Sequence, residues 1–334
     1  MIIKNSAYGE NYGLLDPVVL KRTKKKKPFS DRKAEKNINF AKIDFAAIRQ
    51  GMGSPNQDLT KTRVIVKSIL IKCKKRYIPA LVCHPAKTKI TKNACLYLHG
   101  GGFIGGSSTM MLNQCKLIAE RADCTMISLD YRLAPEAPFP NALEDTLEAL
   151  TWTINHQKAL GFANSKVFVA GDSAGGNLAV ECGLLDKGHR IKQIISIYGA
   201  LDLQEPAMTS YHWNYANYEM DKHQQDYIHT RINKIMYINN LMRPLYARSQ
   251  PVTNPLISPV YATDFTNMPV VTLIEAEFDY FLPSNHFFAN LLNQNSIKVQ
   301  EILYKGLDHG FFDRLGYLKQ TEQVCDDLAN IIKN

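Results

Sequence analysis

Gly171-Asp-Ser-Ala-Gly175 follows the apolar run Val167–Ala170 and precedes a helix-compatible stretch from Ala174 to Leu185. A serine at the tip of so sharp a strand-to-helix turn needs neighbours that clear both elements, and glycine supplies that clearance. The turn exposes the Ser173 hydroxyl at a helix N-terminus, where backbone N–H groups favour developing negative charge. A serine hydroxyl is a weak nucleophile near neutral pH and requires a general base, itself oriented by an acid. In a parallel α/β sheet such groups collect on loops beyond the carboxyl ends of the strands. The run Pro269–Ile274 leads into Glu275-Ala-Glu-Phe-Asp279, and Val299–Tyr304 leads into Lys305-Gly-Leu-Asp-His309. Ser173, Asp279 and His309 therefore complete the chain order Ser, Asp, His. Glu275, Glu277 and Asp202 are rival acids, and Asp308 shares the loop of the base.

His99-Gly-Gly-Gly-Phe103 directly follows a second apolar run, Ala94–Leu98. A tetrahedral oxyanion needs several backbone N–H groups aimed at one point, and bare glycines let the backbone approach that closely. The expected donors are the N–H groups of Gly101, Gly102 and Ala174, with His99 supporting the loop. A phosphate-binding loop is a poor alternative, because the Gly-rich stretch through Ser108 lacks the Gly-Lys-Ser/Thr ending.

These residues need a scaffold that alternates strand and helix. Arg63–Ile71 and Ile78–Cys83 read as an antiparallel pair joined by a basic turn, with Pro79 suggesting an edge position. From residue 94 the rhythm is strand, helix, strand. Strands are expected at 94–98, 125–129, 167–170, 194–197, 269–274 and 299–304, and helices at 110–122, 141–156, 174–185 and 318–332. That alternation argues for an α/β fold with a mostly parallel sheet covered on both faces. Two segments break it. Residues 1–60 show no strand alternation and contain one expected amphipathic helix over Asn37–Arg49. Residues 203–250 carry an aromatic cluster and then a helical stretch, too long for a simple loop. They read as an N-terminal cap segment and a cap insertion on a catalytic domain spanning 61–334.

Composition narrows the class further. The chain is 45% hydrophobic and 21% charged, as an ordinary globular protein is. It has no apolar run near the roughly 18–20 residues of a membrane span and no signal-peptide h-region, so stable membrane insertion is not expected. Its seven cysteines are odd in number and contain no Cys-x-x-Cys pair, which fits a reduced, cytoplasmic setting. No zinc-ligand spacing appears, so no metal is expected. The net charge of +9 is concentrated early, with 22 Lys and Arg against 6 Asp and Glu in residues 1–92. Without a nucleic-acid module or interleaved aromatics, the run Lys21–Lys27 reads as a solvated basic segment, not a nucleic-acid surface.

The blocks His99–Phe103, Asp130-Tyr-Arg-Leu-Ala-Pro-Glu136, Gly171–Leu178, Ser258-Pro259, Asp279 and His309-Gly-Phe311 together resemble the hormone-sensitive-lipase-like family of α/β-hydrolases, the bacterial family IV esterases. The resemblance implies an eight-stranded sheet, a cap built from the N-terminus and an insertion, and cofactor-free hydrolysis of short-to-medium acyl esters of small molecules through an acyl-enzyme on Ser173. Deacetylation or amide hydrolysis would use the same three residues, and a ligand-binding homologue without turnover is a third reading. Where the family has Asp-Pro-Leu, this chain has Asp279-Tyr-Phe-Leu282. Phe103, Tyr211, Trp213, Tyr215 and Tyr280 are expected to line the substrate pocket, and Arg132 is expected to pair with Glu136. Whether the chain forms a homodimer is left open.

Overall fold

The computed structural model describes residues 1–5, 13–25, 43–164 and 166–334. Nine strands form one sheet: β1 (Ile2–Lys4), β2 (Val64–Lys72), β3 (Tyr77–Pro85), β4 (Ala94–Leu98), β5 (Thr125–Leu129), β6 (Val167–Asp172), β7 (Ile191–Ile197), β8 (Val270–Phe278) and β9 (Val299–Asp308), in the order β1-β9-β8-β7-β6-β4-β5-β3-β2. All neighbours are parallel except β2 with β3 and β3 with β5. The short central strands β4, β5 and β6 are buried at every residue. Continuous apolar runs, not alternating ones, are what a sheet covered on both faces demands.

The covering helices are α3 (Leu112–Ala122), α4 (Asn141–Asn155), α5 (Gln157–Leu160), α6 (Ala174–Leu184), α8 (Leu282–Gln294) and α9 (Lys319–Lys333). Helix α6 is buried from Ala174 to Gly183, because it follows the central strand and packs on β4, β6 and β7. Its Gly-, Ala- and Val-rich sequence lets it come that close.

Three expectations are corrected. The sheet has nine strands, not eight: Ile2–Lys4 pairs in parallel with Ile302–Tyr304 of β9. Three residues are too few for an alternation to register. The strand with Pro79 is not an edge; β2 is outermost and β3 lies inside it. The proline is tolerated because the β3–β5 register begins one residue later, at Ala80 opposite Leu129. Arg132 does not pair with Glu136. Its guanidinium binds the buried carboxylate of Asp145 (2.8 Å) and reaches Glu144, while Glu136 pairs with Arg49.

Two further helices, α1 (Pro17–Lys24) and α2 (Phe45–Gln50), come from the first sixty residues, and a long one, α7 (Gln225–Ala247), from the 203–250 segment. The expected Asn37–Arg49 helix begins outside the described residues; its described portion is α2, capped by Asp44. Helix α1 is capped by Asp16, whose carboxylate accepts from Val18 N–H, and packs against α7. Leu15 N–H donates to Gln224 Oε1 (3.0 Å) and Asp221 N–H to Gly13 O (3.0 Å), so the two segments hold each other.

Candidate active site

Ser173 sits between β6 and α6 with φ 53° and ψ −116°. This is a strained conformation for a residue with a side chain, and such strain persists only where the surroundings over-determine it. Two glycines make it possible. A Cβ at Gly171 would overlap the Gly175 carbonyl, and one at Gly175 would overlap the carbonyl of Leu98 on the neighbouring strand. Since that obstacle is backbone, Gly175→Ala is expected to cost at least about 1–3 kcal/mol, the usual penalty for overpacking. Thermal unfolding of the purified variant would register it as a lowered midpoint.

His309 follows β9 and Asp279 follows β8, each in the loop beyond the carboxyl end of its strand. His309 Nε2 lies 2.8 Å from Ser173 Oγ, and Nδ1 lies 2.6 Å from Asp279 Oδ2. The carboxylate can only accept, so Nδ1 carries the proton and Nε2 is free to accept from the serine hydroxyl. Asp279 is fully buried, and its other oxygen accepts from Phe281 N–H at 3.0 Å. Tyr198 and Phe281 bracket the imidazole, with ring centroids 4.8 and 5.6 Å away.

The rival acids have other partners. Glu275 is buried and accepts from Asn285 Nδ2 at 2.9 Å, while burial raises its carboxyl well above its usual range. Glu277 pairs with Lys305 and accepts from Gly306 N–H. Asp202 accepts from Gln204 N–H, and burial pushes it up to about 6. Asp308 is clamped by Arg231 and Arg314. Burial alone would raise its carboxyl, but the two guanidinium groups outweigh that and hold it far below the usual carboxylate range. Asp279 alone among them is placed on His309.

The glycine loop after β4 lies beside Ser173. Gly101 and Gly102 have φ of 127° and 60°, and Phe103 has 64°. The loop turns back on itself, with Ile104 and Gly105 N–H both donating to Gly101 O. The N–H groups of Gly101, Gly102 and Ala174 have no acceptor among the described residues. Asp172 fixes the loop to the serine strand: its Oδ1 accepts from Gly100 N–H (2.9 Å) and Tyr97 Oη (2.8 Å). Burial, with repulsion from the Asp313 carboxylate, pushes Asp172 up to about 7. His99 supports the loop from behind, its Nδ1–H donating to Gly100 O and its ring stacked on Tyr131 at 4.3 Å. Burial holds its imidazole below the ordinary range, as suits a neutral structural histidine.

A cavity of about 320 Å3 opens onto Ser173, His309 and Gly100–Phe103, a volume suited to a small-molecule site. Its apolar wall includes Met52, Met110, Leu203, Ile238 and Met242. The two methionines nearest the loop come from the two segments outside the sheet rhythm. A Cβ on Gly102 would strike the thioether of Met242, and one on Gly105 that of Met52.

The expected lining is corrected here. Phe103 does line the cavity, but Tyr211, Trp213, Tyr215 and Tyr280 do not. Trp213, Tyr215 and Tyr280 form an aromatic cluster behind the Asp279 loop, where Trp213 Nε1–H donates to Tyr280 O (3.1 Å) and Tyr218 Oη to Asp279 O (2.8 Å), while Tyr211 packs on Phe287. Beside Phe103, Tyr198 and Phe281, the cavity wall carries charged residues that the sequence reading did not name: Arg22, Arg231, Lys234, Asp313 and Arg314. Arg22 belongs to the run read as solvated, and the basic character of that run gives no sign that this side chain reaches the cavity. Asp313 and Arg314 stand just beyond His309-Gly-Phe-Phe, close enough in sequence to have been suspected.

Among the described residues no group of three His, Cys, Asp or Glu is placed to hold a metal. All seven cysteines are free thiols, six of them buried, and no described helix is long and apolar enough to cross a membrane.

A family model described as the alpha/beta hydrolase fold matches residues 95–313. An arylesterase of Saccharolobus solfataricus is 26% identical over 303 residues, covering 89% of this chain and 93% of that protein. Human hormone-sensitive lipase is 36% identical over 129 residues, 38% of this chain and 12% of the lipase. The solved structure of an esterase of Pyrobaculum calidifontis superposes with a TM-score of 0.76 at 26% identity, covering 96% of this chain and 98% of that one.

Proposed function

The chain belongs to the α/β-hydrolase fold family, among its hormone-sensitive-lipase-like esterases, and from that premise we propose that it is a serine carboxylesterase working through an acyl-enzyme on Ser173. The observation that carries the mechanism is the continuous hydrogen-bonded line from Ser173 Oγ through His309 to Asp279. In this reading His309 takes the serine proton as Oγ attacks the ester carbonyl and returns it to the leaving alcohol. Asp279 balances the imidazolium that forms. The developing oxyanion is held by the N–H groups of Gly101, Gly102 and Ala174, donors already in place before reaction and so costing no reorganisation. Water, activated by the same histidine, then frees the acid.

The described parts of residues 1–60 and 203–250 act together as a cap over the carboxyl end of the sheet. Both contribute to the cavity wall, through Met52 and Met242 among others. A wall closed by flexible thioethers favours short-to-medium acyl chains. Deacetylases and amide hydrolases would share this machinery, and no feature of the cavity favours them over ester cleavage.

A ladder of p-nitrophenyl esters from acetate to laurate is expected to show turnover that peaks at short-to-medium chains. A fluorophosphonate probe should add to one residue, Ser173, with loss of activity in proportion to labelling. Labelling elsewhere, or activity surviving complete labelling of Ser173, would remove the assignment.

A further inference from the structure

Among the described residues that line the cavity beside Ser173, three carry a guanidinium: Arg22 from α1, Arg231 from α7 and Arg314 from the loop after β9. Arg231 and Arg314 converge on one carboxylate, Asp308, and both are about 95% buried. The Nε atoms of these two arginines are buried without a hydrogen-bond partner. Asp172 and Asp313 are the carboxylates among the described residues of that wall, and burial raises Asp313 against the pull of Arg314, His309, Arg22 and Lys234.

Arg22 is the side chain without an account. It is half-buried at the cavity wall, and among the described residues its guanidinium has neither a hydrogen-bond nor an ion-pair partner. Burial, followed by repulsion from Arg314, lowers its affinity for its own proton. Asp308 and Asp313 attract this guanidinium without forming an ion pair with it, while Arg314 and Arg231 repel it. A bound molecule that brought a carboxylate to bonding distance would complete such a pair. The guanidinium fork matches a carboxylate in a bidentate, planar arrangement, and one unpaired fork suits one such group.

Resting on the reading of this cavity as an esterase site, we infer that the substrate is an ester bearing a free carboxylate elsewhere in the molecule, with Arg22 as the residue that receives it. Part of the remaining wall is apolar, through Met52, Ile238 and Met242, which suits an aliphatic spacer between the carboxylate and the scissile ester. Arg22 is thus a specificity residue supplied by the cap, not a catalytic one.

The test separates binding from turnover. Calorimetric titrations of the Ser173→Ala protein would compare monomethyl adipate with dimethyl adipate, and 4-acetoxybutanoate with its methyl ester, so that the carboxylate is offered on either side of the scissile bond. In one pair the free acid should bind at least about tenfold more tightly than its neutral partner, as a charge-assisted pair in a partly buried site allows. Adding Arg22→Gln should erase that preference, and Arg22→Lys should keep part of it, which guards against a folding defect. Equal or weaker binding of the acid in both pairs, or a preference untouched by Arg22→Gln, would overturn the inference. Turnover of dimethyl adipate by the unmodified protein reports on the esterase reading alone. Its absence would count against that reading while leaving the carboxylate preference to stand or fall on the titrations.

Discussion

Ser173→Ala is expected to lower kcat for any ester the protein hydrolyses by about 10^5–10^6-fold, the loss seen when the nucleophile of a serine triad is removed. The size follows from the division of labour in the site. Alanine deletes the atom that forms the acyl-enzyme, and His309 and Asp279 then have nothing to activate except water held in no defined position. What survives is the contribution of the oxyanion donors and of binding, which acts on the transition state whether or not the serine is present. The fold should be unaffected. The Ser173 backbone is held by its N–H to Ile197 O (2.9 Å) and by Asn177 N–H donating to its carbonyl, neither of which involves the side chain. Alanine also tolerates the turn no worse than serine does, since both carry a Cβ. Steady-state rates on a p-nitrophenyl ester, with circular dichroism as the control, decide the matter. A residual rate within about a hundredfold of the unmodified protein, far above the loss a missing nucleophile causes, would mean that another group is the nucleophile.

The sequence displays the catalytic line because each of its members is announced by its own strand. Val167–Ala170 and Pro269–Ile274 are largely apolar without alternation, and Val299–Tyr304 becomes so after Gln300 and Glu301, which marks them as buried parallel strands; functional loops in such sheets begin where those runs end. The glycine loop after Ala94–Leu98 is legible for the same reason. What the sequence does not display is contact between segments far apart in the chain. Three residues at Ile2–Lys4 become a strand only because β9, some 300 residues later, offers them an unpaired edge. Trp213 and Tyr215 carry the composition of a pocket wall, yet they pack behind the acid loop, whose Tyr280 carbonyl needs a donor. Arg132 looks like the partner of Glu136 four residues on. Its chain leaves β5 in the direction of α4, and the buried Asp145 needs a cation more than the exposed Glu136 does. Arg22 is hidden by its neighbours: Lys21, Lys24 and Lys25 of the same run are exposed, and composition cannot single out the arginine that turns to the cavity. The same limit applies to the choice of acid, where several carboxylates follow one strand and only packing assigns each a partner.

That choice is open to direct test. Asp279→Asn is expected to lower kcat by about 10^4-fold, the cost of presenting an amide in place of the carboxylate that orients a catalytic histidine. The amide can donate as well as accept, so His309 Nδ1 can become the acceptor in that pair. Nε2 then carries the proton and can no longer take one from Ser173. The imidazolium of the transition state also loses its counter-charge. Glu275→Gln separates this from a general effect of removing buried carboxylates. Glu275 accepts from Asn285, which a glutamine oxygen can also do, and burial already favours its neutral form. Its replacement should therefore leave kcat within about tenfold, in line with the loss of no transition-state interaction. If Glu275→Gln lost as much as Asp279→Asn, the histidine would be oriented from β8 rather than from the loop that follows it.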